Sequence, residues 1–403
     1  MDIQPEAAGF DGDRLARITD HLERNYIATG KLVGCQALVA RHGHPAYFQS
    51  LGEADRERHI PIADDTIFRI YSMSKPITSV ALMQLYERGY FQLNDPVHRV
   101  IPEWKDLSVW VSGNEAPFET RAANRPMTFR DLLSHSGGLT YGGGQHPVEK
   151  AYAAVGMRSE EGETLDSFVH KLGQVPLRYS PGEAWLYSYS TDVCGYLVQA
   201  ISGTSFDQYL QNEIFDPLGM TDTGFTVPAE DSTRFAANYA RGADKSLTLI
   251  DDPASSAYLK LKTFFSGGGG LVGTSYDYWR FCEMLRRGGE LDGTRILGPR
   301  TIELMRTNHL PGGGDLSNLA LGAFSETAYE GIGFGLGFAT TLGSVDAGQF
   351  GAGDYFWGGA ASTIFWVDPY EDLVVIFMTQ LMPSNTFNFR GQLKNLVYSA
   401  IVD

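Results

Sequence analysis

Leu15, Ile18 and Leu22 recur at three- to four-residue spacing, which predicts an amphipathic helix over residues 14–25. Two strand-like runs follow, 32–41 and 46–51, and the turn-forming His42-Gly43-His44-Pro45 separates them. The pattern changes at 76–86, where eleven residues carry no charge, as expected of a buried helix that stops at Gly89. From Asn94 to about Asp252 the chain is rich in Pro, Gly and short helical patterns. The glycine run at 267–270 then leads into a predicted helix over 276–287, with Thr274-Ser275-Tyr276-Asp277 spaced as a capping box whose acidic place is Asp277. Alternating Gly and apolar residues at 331–341, then 361–367 and 373–379, predict antiparallel strands, and 389–401 closes with a helix.

These elements predict an α+β architecture in two parts. Residues 1–92 and 255–403 form one α/β subdomain, an antiparallel sheet flanked by helices. Residues 93–254 form an inserted, mainly helical subdomain, and the cleft between the two holds the site. With 403 residues, 43% of them hydrophobic, the chain can bury a large core. A net charge of −16 excludes a nucleic-acid surface, which must neutralise phosphates with clustered Lys and Arg. The N-terminus lacks the basic region and apolar core of a signal peptide, and no run approaches ~18 apolar residues. The expectation is a cytoplasmic protein without a membrane partner. Cys35, Cys194 and Cys282 are widely spaced and odd in number, so they read as buried free thiols, with no disulfide framework and no zinc spacing.

The candidate chemistry starts at Ser72-Met73-Ser74-Lys75. A serine and a lysine three residues apart at a helix start share a face, so the ammonium stands beside the hydroxyl that needs activating. Tyr187 supplies a phenol that, beside an ammonium, can take the serine proton. Trp357-Gly358-Gly359-Ala360 precedes an apolar run; its glycines let backbone approach a ligand, and the N–H of Ala360 can complete an oxyanion hole with that of Ser72. His135 has Ser136 directly beside it, which is not the geometry of a Ser-His-Asp triad. Gly273-Thr274-Ser275-Tyr276-Asp277 lacks the final glycine of a nucleophile elbow, so an α/β-hydrolase is not indicated.

The ordered set resembles the serine β-lactamase and penicillin-binding-protein superfamily, and more narrowly the class C β-lactamase-related esterases known as family VIII carboxylesterases. The resemblance extends to Leu132-Leu133-Ser134-His135-Ser136-Gly137-Gly138-Leu139, to Phe215-Asp216-Pro217-Leu218-Gly219-Met220 and to the glycine run at 267–270. It implies a β-lactamase-like fold, Ser72 as nucleophile, and Lys75 with Tyr187 as the proton-handling pair. Two departures matter. Class C lactamases have Tyr-x-Asn where this chain has Tyr187-Ser188-Tyr189, and Lys-Thr-Gly where it has Trp357-Gly358-Gly359. Losing the amide and the cation points away from anionic β-lactams and toward uncharged esters. The expectation is a carboxylesterase for short-chain esters, with Trp357, Gly358, Gly359, Tyr141 and Tyr189 lining the substrate site and no metal or organic cofactor. Acyl transfer to another alcohol, D-amino-acid peptidase activity, weak β-lactamase activity and a non-catalytic binding module are the alternatives.

Overall fold

The computed structural model describes residues 1–157, 162–320 and 329–403. Its centre is an eight-stranded sheet, antiparallel at every pairing, in the order Ile332–Phe334, Ala339–Thr341, Tyr355–Gly358, Ile364–Asp368, Leu373–Thr379, Gly34–Arg41, His44–Asp55 and Ile60–Pro61. Leu373–Thr379 and Gly34–Arg41 sit side by side at its middle and are buried at every position. Continuous apolar strands of this kind need cover on both faces. On Ile364–Asp368, Phe365 meets Tyr278 at 5.1 Å between ring centroids, while Lys394 lies 5.9 Å from the ring of its neighbour Trp366. Successive side chains point to opposite faces. The helix Ser275–Arg286 therefore covers one face and the C-terminal helix Phe389–Tyr398 the other.

Most sequence-level elements appear close to their expected bounds. The first helix spans Gly12–Leu22, capped by Asp11, and buries Leu15, Ile18 and Leu22; a wider turn, Glu23–Ile27, continues it. Its stripe and that of Phe389–Tyr398 share the sheet face on which Phe377 meets Phe389 at 4.9 Å. The second strand is longer than its apolar run, His44–Asp55. The stretch 331–341 is a hairpin of two three-residue strands. The strand expected at 361–367 begins only at Ile364, because Gly359, Ala360, Ala361 and Ser362 form a turn in which Ser362 N–H bonds Gly359 O and Ser362 has φ 67°. The capping box at Thr274 closes on one side alone. Thr274 accepts from Asp277 N–H, but the Asp277 carboxylate turns away to Asp222 N–H at 2.8 Å and Thr223 Oγ1 at 2.9 Å.

Residues 93–254 hold short helices, among them Pro147–Ala154, Leu165–Gly173 and Ser190–Ser202. They also hold two antiparallel strand pairs absent from the sequence reading, Ser108–Ser112 with Glu119–Ala122 and Asn238–Arg241 with Leu247–Asp251. Strands of four or five residues offer too few alternations to stand out from a loop. Among the described residues, no helix is long and apolar enough to cross a membrane.

Candidate active site

The segment 76–86 is apolar because its helix, Ser74–Glu87, runs through the interior, with every residue from Ser74 to Leu85 buried. Ser72 stands just before it, on the single 3-10 turn Tyr71–Met73. Ser-x-x-Lys therefore spans a junction between two helix types and not one α-helical turn. The flanking residue of the α-helix is Met73, and no side chain caps it. Tyr71 adopts φ 42°, a left-handed conformation that costs a tyrosine energy. The turn it makes leaves Ser72 half-buried while Lys75 is 1% exposed.

A buried ammonium near the positive end of a helix is unfavourable unless anionic or dipolar groups surround it. Lys75 Nζ donates to the carbonyl of Gly268 at 2.6 Å and to Ser72 Oγ at 3.2 Å, and it sits 4.4 Å from the centroid of the Tyr187 ring and 5.7 Å from that of Tyr141. The glycines beside it are dictated by proximity. A Cβ on Gly267 would lie 2.6 Å from Thr191 O, and one on Gly268 would lie 2.6 Å from Asp192 Oδ2.

Tyr187 lies just ahead of the helix Ser190–Ser202. Its phenolic oxygen accepts a hydrogen bond from Trp357 Nε1 at 3.2 Å, and its ring packs against His135, Trp357 and Tyr141 with centroids 5.0, 5.2 and 5.3 Å away. Trp357 is 2% exposed, and its indole faces Tyr187 and Phe334 from a strand buried at all four positions. Tyr189 is likewise packed among Tyr141, Tyr152 and Phe168, while Tyr141 stays half-buried at the edge of the cluster. His135 points its ring nitrogens at Ser188 Oγ and Thr191 Oγ1. Burial, reinforced by the charge of Lys75, holds its imidazole well below the usual titration range, so it is neutral.

Gly358 and Gly359 end the strand that carries Trp357. A Cβ on Gly359 would fall 2.5 Å from the carbonyl of Ile70, which shows how tightly this turn lies on the segment leading to Ser72. Ala360 follows in the turn, half-buried. Among the described residues, the backbone hydrogen bonds outside regular helices and strands include none donated by Ala360 N–H. Gly359 also borders a cavity of about 440 Å³ whose other walls include Asn388 and Arg390. The guanidinium of Arg390 bonds the carbonyls of Trp357 and Phe365, both at 3.0 Å, and so braces the hairpin behind the turn. Sequence reasoning missed this brace, the Trp357–Tyr187 bond and Asp192, which lies five residues after Tyr187.

A serine, a buried lysine bonded to it and a hydrogen-bonded tyrosine over that lysine, on a sheet of this order, define a serine hydrolase. The Beta-lactamase family matches residues 19–397, and the chain belongs to that family. Protein Rv1367c of Mycobacterium tuberculosis is 32% identical over 365 residues, 89% of this chain and 88% of the relative. Esterase EstB of Burkholderia gladioli is 30% identical over 396 residues, covering 94% and 93%. The solved structure of EstCE1, a hydrolase with promiscuous acyltransferase activity, is 28% identical, covers 96% of this chain and 99% of its own, and superposes with a TM-score of 0.79. The resemblance to family VIII carboxylesterases read from the motifs is borne out, and the chain is an enzyme.

Proposed function

We propose that this enzyme is a carboxylesterase that hydrolyses short-chain esters through an acyl-enzyme on Ser72. The observation that carries the reading is the placement of the Lys75 ammonium, 3.2 Å from Ser72 Oγ and 4.4 Å from the centre of the Tyr187 ring. Tyr187, as phenolate beside that cation, takes the Ser72 proton while Oγ attacks the ester carbonyl. The carbonyl electron pair moves onto oxygen, where the N–H groups of Ser72 and Ala360 receive it. Collapse expels the alcohol, which leaves with the proton from Tyr187. Water then repeats the sequence on the acyl-enzyme and frees the acid.

Short acyl chains suit a nucleophile whose lysine partner stands under the rings of Tyr141 and Tyr187. A small-molecule ester is the partner this site calls for. Acyl transfer to an alcohol other than water is the second reading, supported by the likeness to EstCE1, since the same acyl-enzyme serves both. The test is a panel of p-nitrophenyl esters of increasing chain length beside nitrocefin, with and without added alcohol. Turnover of nitrocefin as fast as that of the butyrate ester overturns the esterase reading.

A further inference from the structure

The loop 266–270 carries the carbonyl that receives Lys75, and one carboxylate holds that loop. Asp192 Oδ1 accepts from the Ser266 hydroxyl at 2.5 Å and from Gly268 N–H at 3.2 Å. The carbonyl of the same Gly268 accepts from Lys75 Nζ at 2.6 Å, and Thr78, three residues beyond Lys75, donates to Gly267 O at 2.8 Å. Asp192 is 1% exposed, in the first turn of the helix Ser190–Ser202 that begins just after Tyr187. A buried carboxylate is costly unless donors satisfy it. Here both donors come from the loop that orients Lys75, and Gly268 leaves no room for a side chain between loop and carboxylate.

The serine, lysine and tyrosine chemistry assigns Asp192 no step. We propose that Asp192 is a positioning residue for Lys75: through Gly268 it fixes the ammonium at Ser72 Oγ and sets a negative charge behind it. The inference rests on the Ser72 acyl-enzyme reading. The other titratable groups facing this cluster do not duplicate that charge. His135 is held neutral by burial, the thiol of Cys194 is pushed up by burial, and burial likewise raises the phenol of Tyr71 beside Ser72. Tyr141 and Tyr187 face Lys75 with their rings. Glu163, which shares a cavity wall with Ser266, is paired with Lys171 at 2.9 Å.

Removing a negative charge lets the protons of the coupled Lys75–Tyr187 pair leave at lower pH. The experiment compares wild type, Asp192→Asn and Asp192→Glu in hydrolysis of p-nitrophenyl butyrate from about pH 5 to 9, with active sites counted by a phosphonate that labels Ser72. Asp192→Asn is expected to lower kcat per labelled site at least about tenfold, to change KM less than about threefold, and to move the acid limb of kcat/KM to lower pH. Asp192→Glu keeps the charge and so keeps the limb in place, while its extra length costs kcat. A purely structural role would lower the labelled fraction and leave the limb where it was, and that result overturns the proposal. Should Asp192→Asn fail to fold, Gly268→Ala decides: it pushes the loop off the carboxylate, and a wild-type kcat there also overturns it. Absence of label on wild-type Ser72 sinks the acyl-enzyme reading itself, an outcome distinct from either.

Discussion

The indole N–H of Trp357 donates to the phenolic oxygen of Tyr187 at 3.2 Å, linking the strand that ends at the Gly359–Ala360 turn to the proposed base. A donor aimed at that oxygen favours the phenolate without adding a charge beside it. In lactamases with Lys-Thr-Gly an ammonium stands at this position, so the exchange for indole removes a cation while leaving an N–H donor.

Trp357→Phe keeps a ring but deletes the N–H. Losing a hydrogen bond to a developing anion costs roughly 1.5–3 kcal/mol, about ten- to a hundredfold in kcat. KM for p-nitrophenyl butyrate is expected to change little, because the N–H of Trp357 is taken up by Tyr187. Steady-state kinetics check this, and an effect confined to KM would point to the substrate-wall role.

Ser72→Ala is expected to lower ester hydrolysis on the order of 10³-fold or more while the melting temperature stays near wild type. Intact mass after phosphonate treatment should show one adduct on the wild type and none on the variant. A label on another serine moves the nucleophile elsewhere.

In the proposed mechanism Lys75 and Tyr187 handle one proton, so Lys75→Ala, Tyr187→Phe and the double variant are expected to lose similar amounts of kcat. Rates measured at one pH suffice. Additive losses would assign the two residues to separate steps.

His135 is neutral and lies behind Tyr187, so it is not the group that sets the acid limb of the activity profile. Asparagine tolerates the φ of 56° at this position. His135→Asn is expected to lose some stability from the vacated space between Trp185 and Phe334 and to retain the limb. Disappearance of the limb in this variant would make His135 the titrating group.

Burial pushes the carboxyl of Asp277 up to about 6, against the hydrogen bonds from Thr223 and Asp222 that pull it down. Its folded value exceeds that of the unfolded chain, about 3.9. The stability tied to its protonated form is therefore fully present below about pH 4 and lost as pH rises through 6. Asp277→Asn removes that loss and keeps an acceptor for both donors. Urea denaturation is expected to show the variant more stable by on the order of 2–3 kcal/mol at pH 8, with the difference vanishing toward pH 4. A difference independent of pH would refute the titration of Asp277.

The local part of this protein was readable from the chain itself, because periodicity and steric rules act over a few residues. The stripe of Leu15, Ile18 and Leu22, the buried run after Lys75, the turn at His42-Gly43 and the order Ser72, Lys75, Tyr187, Trp357 all survive in the structure with small shifts of boundary. Tertiary structure decided what depends on residues far apart. It turned Trp357 inward to Tyr187, 170 positions away, since a strand covered on both faces leaves its side chains no open side. It drew Asp277 off its own helix cap to Asp222 and Thr223. It set Asp192 against the glycine loop, and a carboxylate sealed from water needs donors that only packing of distant segments supplies.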